Sequence, residues 1–396
     1  MFIDVSWESM RILPCQAPVR AAASTALAHL GKAGVEAFVE VLEHAMPSKD
    51  DEGSLRALET AAALHGLRYC SDELCCPAVD LILRRLDDPS KRVQLAAEAT
   101  LRSLGPLCAD LIAEKLKAED PEERELLVVA LGCVGSPNAL PYTNMLVALL
   151  DPKTEGSSKV QIAAAEALSK CGPQTGHAAA VALAEFLSKA GEEEAKTAAK
   201  QALISLKEAA IEVLPGLLGH QHPIIKCAAF DILESLGDGS GVVKEITACA
   251  SDRDAKVRQR AVQALLLLKD PTVPLRLLPN LMEDIDRGVA NLAISIIGKM
   301  GKSASSLAAL VSKQLKSAGT DQRRAASWTL GQLGELPSST MKVIITQLRN
   351  EKNDDIRSLL IQAIGAQGPA IQAIGAKSIK VPHLRWFSSS LRYFTL

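Results

Sequence analysis

The chain has 396 residues, with 48% hydrophobic residues, largely alanine and leucine, and only 3% aromatic, a composition suited to stacked helices and poor in the rings that stack on bases. A formal net charge of −2 excludes a global field favouring nucleic acid or an anionic membrane. No apolar run approaches the length needed to span a bilayer.

The opening MFIDVSWESMRILPC carries Asp4 near its start and lacks the basic-then-apolar order of a signal peptide. Next comes VRAAASTALAHLG (19–31), an aliphatic residue followed by alanine four places on, leucine eight on and glycine twelve on. This spacing puts one apolar stripe on a helix and a left-handed cap at its end. The frame recurs from Leu55, Val93, Glu123, Val160, Ala195, Ile225, Val257, Val289, Gln322 and Ile356, at intervals of 30 to 38 residues. The fourth place is alanine in eight of eleven units, and the eighth is leucine or isoleucine in ten, Ala63 being the exception. Glycine fills the twelfth place in eight, at Gly31, Gly105, Gly135, Gly172, Gly237, Gly301, Gly334 and Gly368. Self-similarity at this period marks a solenoid, which grows without the size limit of a globular domain.

A second apolar helix is expected ahead of each framed one, as at 75–86, 107–117, 177–189, 275–284 and 306–317. The turns between them are acidic or proline-bearing (Asp88-Pro89, Asp120-Pro121, His222-Pro223), with proline suited to the first helical position. In DRDAKVRQRAVQALLLL (252–268), Asp254 is placed to cap the framed helix. Two longer polar turns, at 44–54 and 151–159, are expected to project from the rim as places where partners bind or as neutral insertions. After a duplicated IQAIGA (361–366 and 371–376) the frame ends, dividing the chain into a solenoid over 1–368 and a basic, aromatic-rich tail over 369–396. Trp386, Phe387, Tyr393 and Phe394 in that tail are candidate docking residues for a partner groove or a membrane surface.

The order aliphatic–Arg–x–x–Ala–x–x–x–Leu–x–x–x–Gly, seen at 19–31 and in part at 256–268, resembles HEAT repeats of the armadillo type. The resemblance implies an all-α superhelix of about eleven helix pairs, right-handed, with the framed helices on its concave face. Units of 30 to 33 residues also look like the HEAT-like repeats of phycobilin lyases. Deoxyhypusine hydroxylase has similar repeats but holds iron through His-Glu pairs, and none of the seven histidines here is followed by glutamate. Tubulin-binding TOG arrays carry tryptophan in their rim turns, which DDPSK and DRDAK lack.

One position stands out for function. The residue after the frame's first is basic in eight of eleven units (Arg20, Arg56, Arg124, Lys196, Lys226, Arg258, Arg323 and Arg357), and never acidic. Such a ladder either bonds acids of the preceding turn, as Asp252 with Arg258 or Asp355 with Arg357, or offers a surface to an acidic peptide or helix. Lys226, preceded by GHQHPI with no acid, has the least structural reason to be basic. No catalytic triad, phosphate loop or cofactor fingerprint is present. The histidines of HQH (220–222) lack carboxylate companions, and the cysteines of YCSDELCC lack zinc-ligand spacing, so no metal or cofactor is expected. Buried free thiols are expected instead, placing the chain in the cytoplasm or nucleus. The expected function is a non-catalytic scaffold or adaptor that holds other proteins along the framed helices, without specific nucleic acid. The alternatives are a TOG-like tubulin binder and a chromophore lyase or lyase-like chaperone.

Overall fold

The structure is a computed structural model that describes residues 17–44 and 55–366. The second polar turn is described, whereas residues 45–54 of the first, and the whole tail including Trp386, Phe387, Tyr393 and Phe394, lie outside the described residues.

Among the described residues every regular element is a helix. The chain divides into two compact units, Met1–Val213 and Leu214–Leu396. In the first, the framed helices are α1 (Ala17–Ala28), α3 (Leu55–Leu67), α6 (Lys91–Ser103), α8 (Pro121–Val134), α10 (Ser158–Cys171) and α12 (Glu193–Ser205). Their companions are α2 (Lys32–His44), α4 (Asp72–Cys75) with α5 (Val79–Leu83), α7 (Pro106–Lys115), α9 (Thr143–Ala148) and α11 (Gly176–Lys189). Within this unit each framed helix packs beside the next framed helix, and α2, α5, α7, α9 and α11 each pack against a framed helix. The division falls inside α13 (Glu208–Leu218). The second unit repeats the arrangement with framed helices α14 (Pro223–Leu236), α16 (Ala255–Ala264), α18 (Arg287–Met300), α20 (Thr320–Gln332) and α22 (Asp354–Gly365). Its companions are α15 (Val243–Cys249), α17 (Thr272–Leu281), α19 (Ala308–Lys313) and α21 (Ser338–Asn350).

The frame explains this packing. Ala97, Ala164, Ala199, Ala229, Ala261, Ala293 and Ala326, all at the fourth place, are fully buried, where only a small side chain lets adjacent helices close up. Leu101, Leu131, Leu168, Leu203, Leu233, Leu265 and Leu330, at the eighth place, are 0 or 1% exposed and fill the space between the two layers. Helix starts follow the expected chemistry. Asp254 accepts from the N–H groups of Lys256 and Val257, and Asp120 from that of Glu122, ahead of Pro121 at the first helical position. Six of the frame's glycines adopt φ between 58° and 79°, a region closed to most L-residues.

Three expectations need correction. Gly105 has φ −84° and is no left-handed cap; the carboxylate of Asp72, one repeat earlier, occupies the space a Cβ would need. Pro89 precedes the helix, which starts at Lys91 after Ser90. Two of the companion helices are broken where one continuous helix was expected: 75–86 is interrupted by a 3-10 turn at Cys76–Ala78, and 306–317 has 3-10 turns on both sides of α19.

Candidate functional site

The basic ladder and the turn before each framed helix form one construction. Arg124 Nη1 donates to the carbonyls of Ala118 and Glu119, Arg258 Nη1 to those of Asp252 and Arg253, and Arg323 Nη1 to those of Ser317 and Ala318. Two of the non-basic members do the same with an amide: Gln94 Nε2 donates to Asp88 O at 2.8 Å and Gln161 Nε2 to Glu155 O at 2.7 Å. The ladder side chain thus satisfies a turn carbonyl six residues upstream that has no helical partner.

The remaining guanidinium nitrogens face the following repeat. Arg124 forks onto Glu155 at 2.8 and 3.0 Å, Arg258 onto Asp284 at 2.8 and 2.8 Å, and Arg323 onto Glu351 at 2.8 and 3.2 Å. Lys226 Nζ donates to Asp252 Oδ2 at 2.6 Å. These acids also accept from the N–H two residues on, in the case of Ser157, Asp254, Asp286 and Asn353, and so shape their own turns. The bond from Arg124 holds the Glu155 carboxyl below its ordinary range, and the bond from Arg258 does so for Asp284. Arg323 holds Glu351 down to about 2. Burial opposes ionisation of Asp252, yet the Lys226 ammonium and the Asp254 N–H prevail and its carboxyl is also lowered.

The expected pairing with the preceding turn is therefore corrected. Asp252 gives Arg258 its carbonyl, while its carboxylate takes Lys226 from the repeat before. Lys226 does not lack an acid, since its partner stands in the next turn. Arg357 pairs with Asp354, and Asp355 with Arg324. Lys196 lies 3.6 Å from the exposed Glu193; Arg56 is exposed, and Arg20 is half-buried. The turn at 151–159 does not simply project: its Glu155 is 3% exposed and anchored by Arg124. At His220 the imidazole Nδ1 accepts the His222 N–H, taking the place held by an acid in other turns.

A second feature lies on the framed helices of the second unit. Phe230, Glu234, Arg260, Gln263, Leu266 and Ile296 are among the residues lining a groove of about 180 Å³ across α14, α16, the short helical turn after α16, and α18. Leu266 is 40% exposed, above a floor made by buried Phe230 and Ile296. Arg260 reaches Asp231 at 3.1 Å and Glu234 at 3.7 Å, leaving a mixed-charge margin completed by the exposed Lys299. The repeat frame does not reveal this groove. Its signal is Leu266 in the run LLLL, one place beyond the frame's buried Leu265 and hence off the stripe.

The described cysteines are free, and five are buried, Cys75, Cys108, Cys133, Cys171 and Cys249. Cys108 from α7 meets Cys76 from the preceding repeat, Sγ to Sγ 3.6 Å, an approach that spacing within YCSDELCC does not reveal.

No protein-family model and no curated protein sequence matches the chain significantly. Solved structures do. In the crystal structure of the karyopherin Kap121p bound to the extreme C-terminus of the protein phosphatase Cdc14p, 44% of the karyopherin chain aligns with 90% of this one, at 12% identity and a TM-score of 0.52. The fold is a HEAT-type α-solenoid. The solenoid spans less than half the length of that karyopherin chain. Kap95 in its complex with Nup1 (13% identity, 90% of this chain and 56% of that one, TM-score 0.48) and an engineered protein (18% identity, 93% and 99%, TM-score 0.31) are weaker likenesses and add nothing to the assignment. Among the described residues of the solenoid, no helix is long and apolar enough to cross a membrane.

Proposed function

We propose that the solenoid is a non-catalytic scaffold that holds a segment of a partner protein across its framed helices in the second unit. The observation that carries this reading is the groove around Leu266: an exposed leucine over an aromatic and aliphatic floor, margined by both signs of charge. Such a notch suits one apolar side chain of a peptide or helix, with polar contacts around it. The karyopherin of the same fold is bound to the C-terminus of a phosphatase, which supports the mode by analogy of fold. The ladder is assigned to bracing, because Arg124, Lys226, Arg258 and Arg323 have side chains only 11 to 18% exposed and are spent on internal acids. Arg56 and the partly exposed Arg357 are the members left facing outward, and they are the ones an acidic partner segment would meet.

The test is affinity purification of the full chain beside Leu266→Glu, with captured proteins identified by mass spectrometry. A protein retained by the parent and lost by the variant at equal melting temperature supports the groove. A parent that enriches no protein, or a variant that retains all of them, refutes it.

A further inference from the structure

Asp72, Cys76 and Cys108 offer three ligand atoms that all lie within 4.8 Å of one another, although Cys108 stands 32 residues beyond Cys76. The repeat brings them together, since 32 residues is one unit of the solenoid. Asp72 opens α4, Cys76 opens the 3-10 turn that follows, and Cys108 lies in the first turn of α7. Two thiolates bound to one tetrahedral zinc at about 2.3 Å each stand about 3.8 Å apart. The sulfurs here are 3.6 Å apart, so the backbone already holds them at the separation that a shared ion requires. A disulfide needs about 2.05 Å, well short of this separation.

The Asp72 carboxylate accepts from Gly105 N at 3.1 Å through Oδ1 and from Leu107 N at 2.8 Å through Oδ2. Those bonds fix its position and use one lone pair on each oxygen, leaving the others for a cation. Cys108 is buried and Cys76 half-buried, so one side of the cluster reaches solvent and can supply a water as fourth ligand. The donor set, two sulfurs and a hard oxygen, suits zinc over magnesium or calcium.

We propose that Asp72, Cys76 and Cys108 form a binding site for one thiophilic divalent cation, zinc by its chemistry, which ties one repeat to the next. On binding, each thiol loses its proton to solvent, two Sγ–metal bonds and one carboxylate–metal bond form, and no electron is transferred. The expectation of a metal-free chain, drawn from spacing within single stretches of sequence, is revised accordingly.

The test uses the reduced, chelator-washed full chain titrated with Co2+ and then Zn2+. The expected result is one equivalent of Co2+ with intense thiolate-to-cobalt charge-transfer absorption, two protons released per ion, and displacement of the colour by zinc. Cys76→Ser and Cys108→Ser should each weaken Co2+ binding at least tenfold. Cys227→Ser, which changes a half-buried cysteine of the other compact unit, should leave binding unchanged. Circular dichroism and melting of each apo variant separate loss of the site from loss of the fold. Absence of charge-transfer absorption in the folded parent overturns the proposal. So does its persistence in folded Cys76→Ser and Cys108→Ser, or oxidation of Cys76 and Cys108 of the parent to a mutual disulfide without any metal uptake.

Discussion

Gln94 and Gln161 stand where other repeats have arginine or lysine, and they show what that position is for. Each gives one N–H to a carbonyl six residues upstream, as the arginines do, but lacks the second fork that reaches the next repeat's acid. Arg258→Gln should therefore keep the bond to Asp252 O and lose the Asp284 fork together with the bond to Arg253 O, whereas Arg258→Ala loses all of them. We expect the alanine variant to cost about 2 kcal/mol and the glutamine variant about half of that, read as midpoint shifts in urea. Equal losses would show that the carbonyl bond contributes nothing. The acids give a pH signature. Glu351 has its folded carboxyl lowered to about 2 from an ordinary 4.5, so its contribution is complete above about 4.5 and disappears as pH falls towards 2. Melting temperature should fall across that window, and the Glu351→Gln variant should start lower at pH 7 and fall less. Parallel curves for parent and variant would contradict the assignment. Lys207 is a different case, since it takes the frame's glycine place with φ 50°. Lys207→Gly should raise stability by up to about 1 kcal/mol, the relief of left-handed backbone less the extra freedom of the unfolded chain. A lower melting temperature would mean that Lys207 makes contacts worth more than its strain.

Between helices, close approach sets the tolerance. A Cβ at Gly132 on α8 would stand 2.8 Å from both Cα and Cβ of Ala167 on α10, so Gly132→Ala must push the framed helices apart. A cost of about 1–3 kcal/mol is expected by chemical denaturation, and an unchanged midpoint would show that the two helices move apart freely. The framed helices were legible because alanine and leucine recur at the spacing of a helix stripe, and burial of Ala261 and Leu265 follows from that spacing alone. The companions were less so. Short segments such as 75–86 carry proline and lie mostly in contact with other repeats, and their breakage into 3-10 turns depends on those neighbours. The ladder shows the same division. Its basic character could be read from one position, but the acid that Lys226 meets is 26 residues away in the following turn, and no local rule selects the following turn over the preceding one.

At the level of the whole molecule, the period alone announced a helical solenoid, while contacts that join repeats had to be seen in three dimensions. Cys76 with Cys108, and Phe230 with Leu266 and Ile296, are both products of stacking that leave no compact motif. Function on such a scaffold resides in surfaces, so the account rests on separating the surface that braces from the surface that binds. The most direct measurement is the affinity of a captured partner for three purified chains: the parent, Leu266→Glu and Arg258→Gln, each corrected for its folded fraction. The account predicts at least tenfold weaker binding by Leu266→Glu and an unchanged dissociation constant for Arg258→Gln despite its lower stability. Unimpaired binding by Leu266→Glu, together with a loss in Arg258→Gln that persists after correction for folding, would contradict it and return the ladder to the role of partner surface.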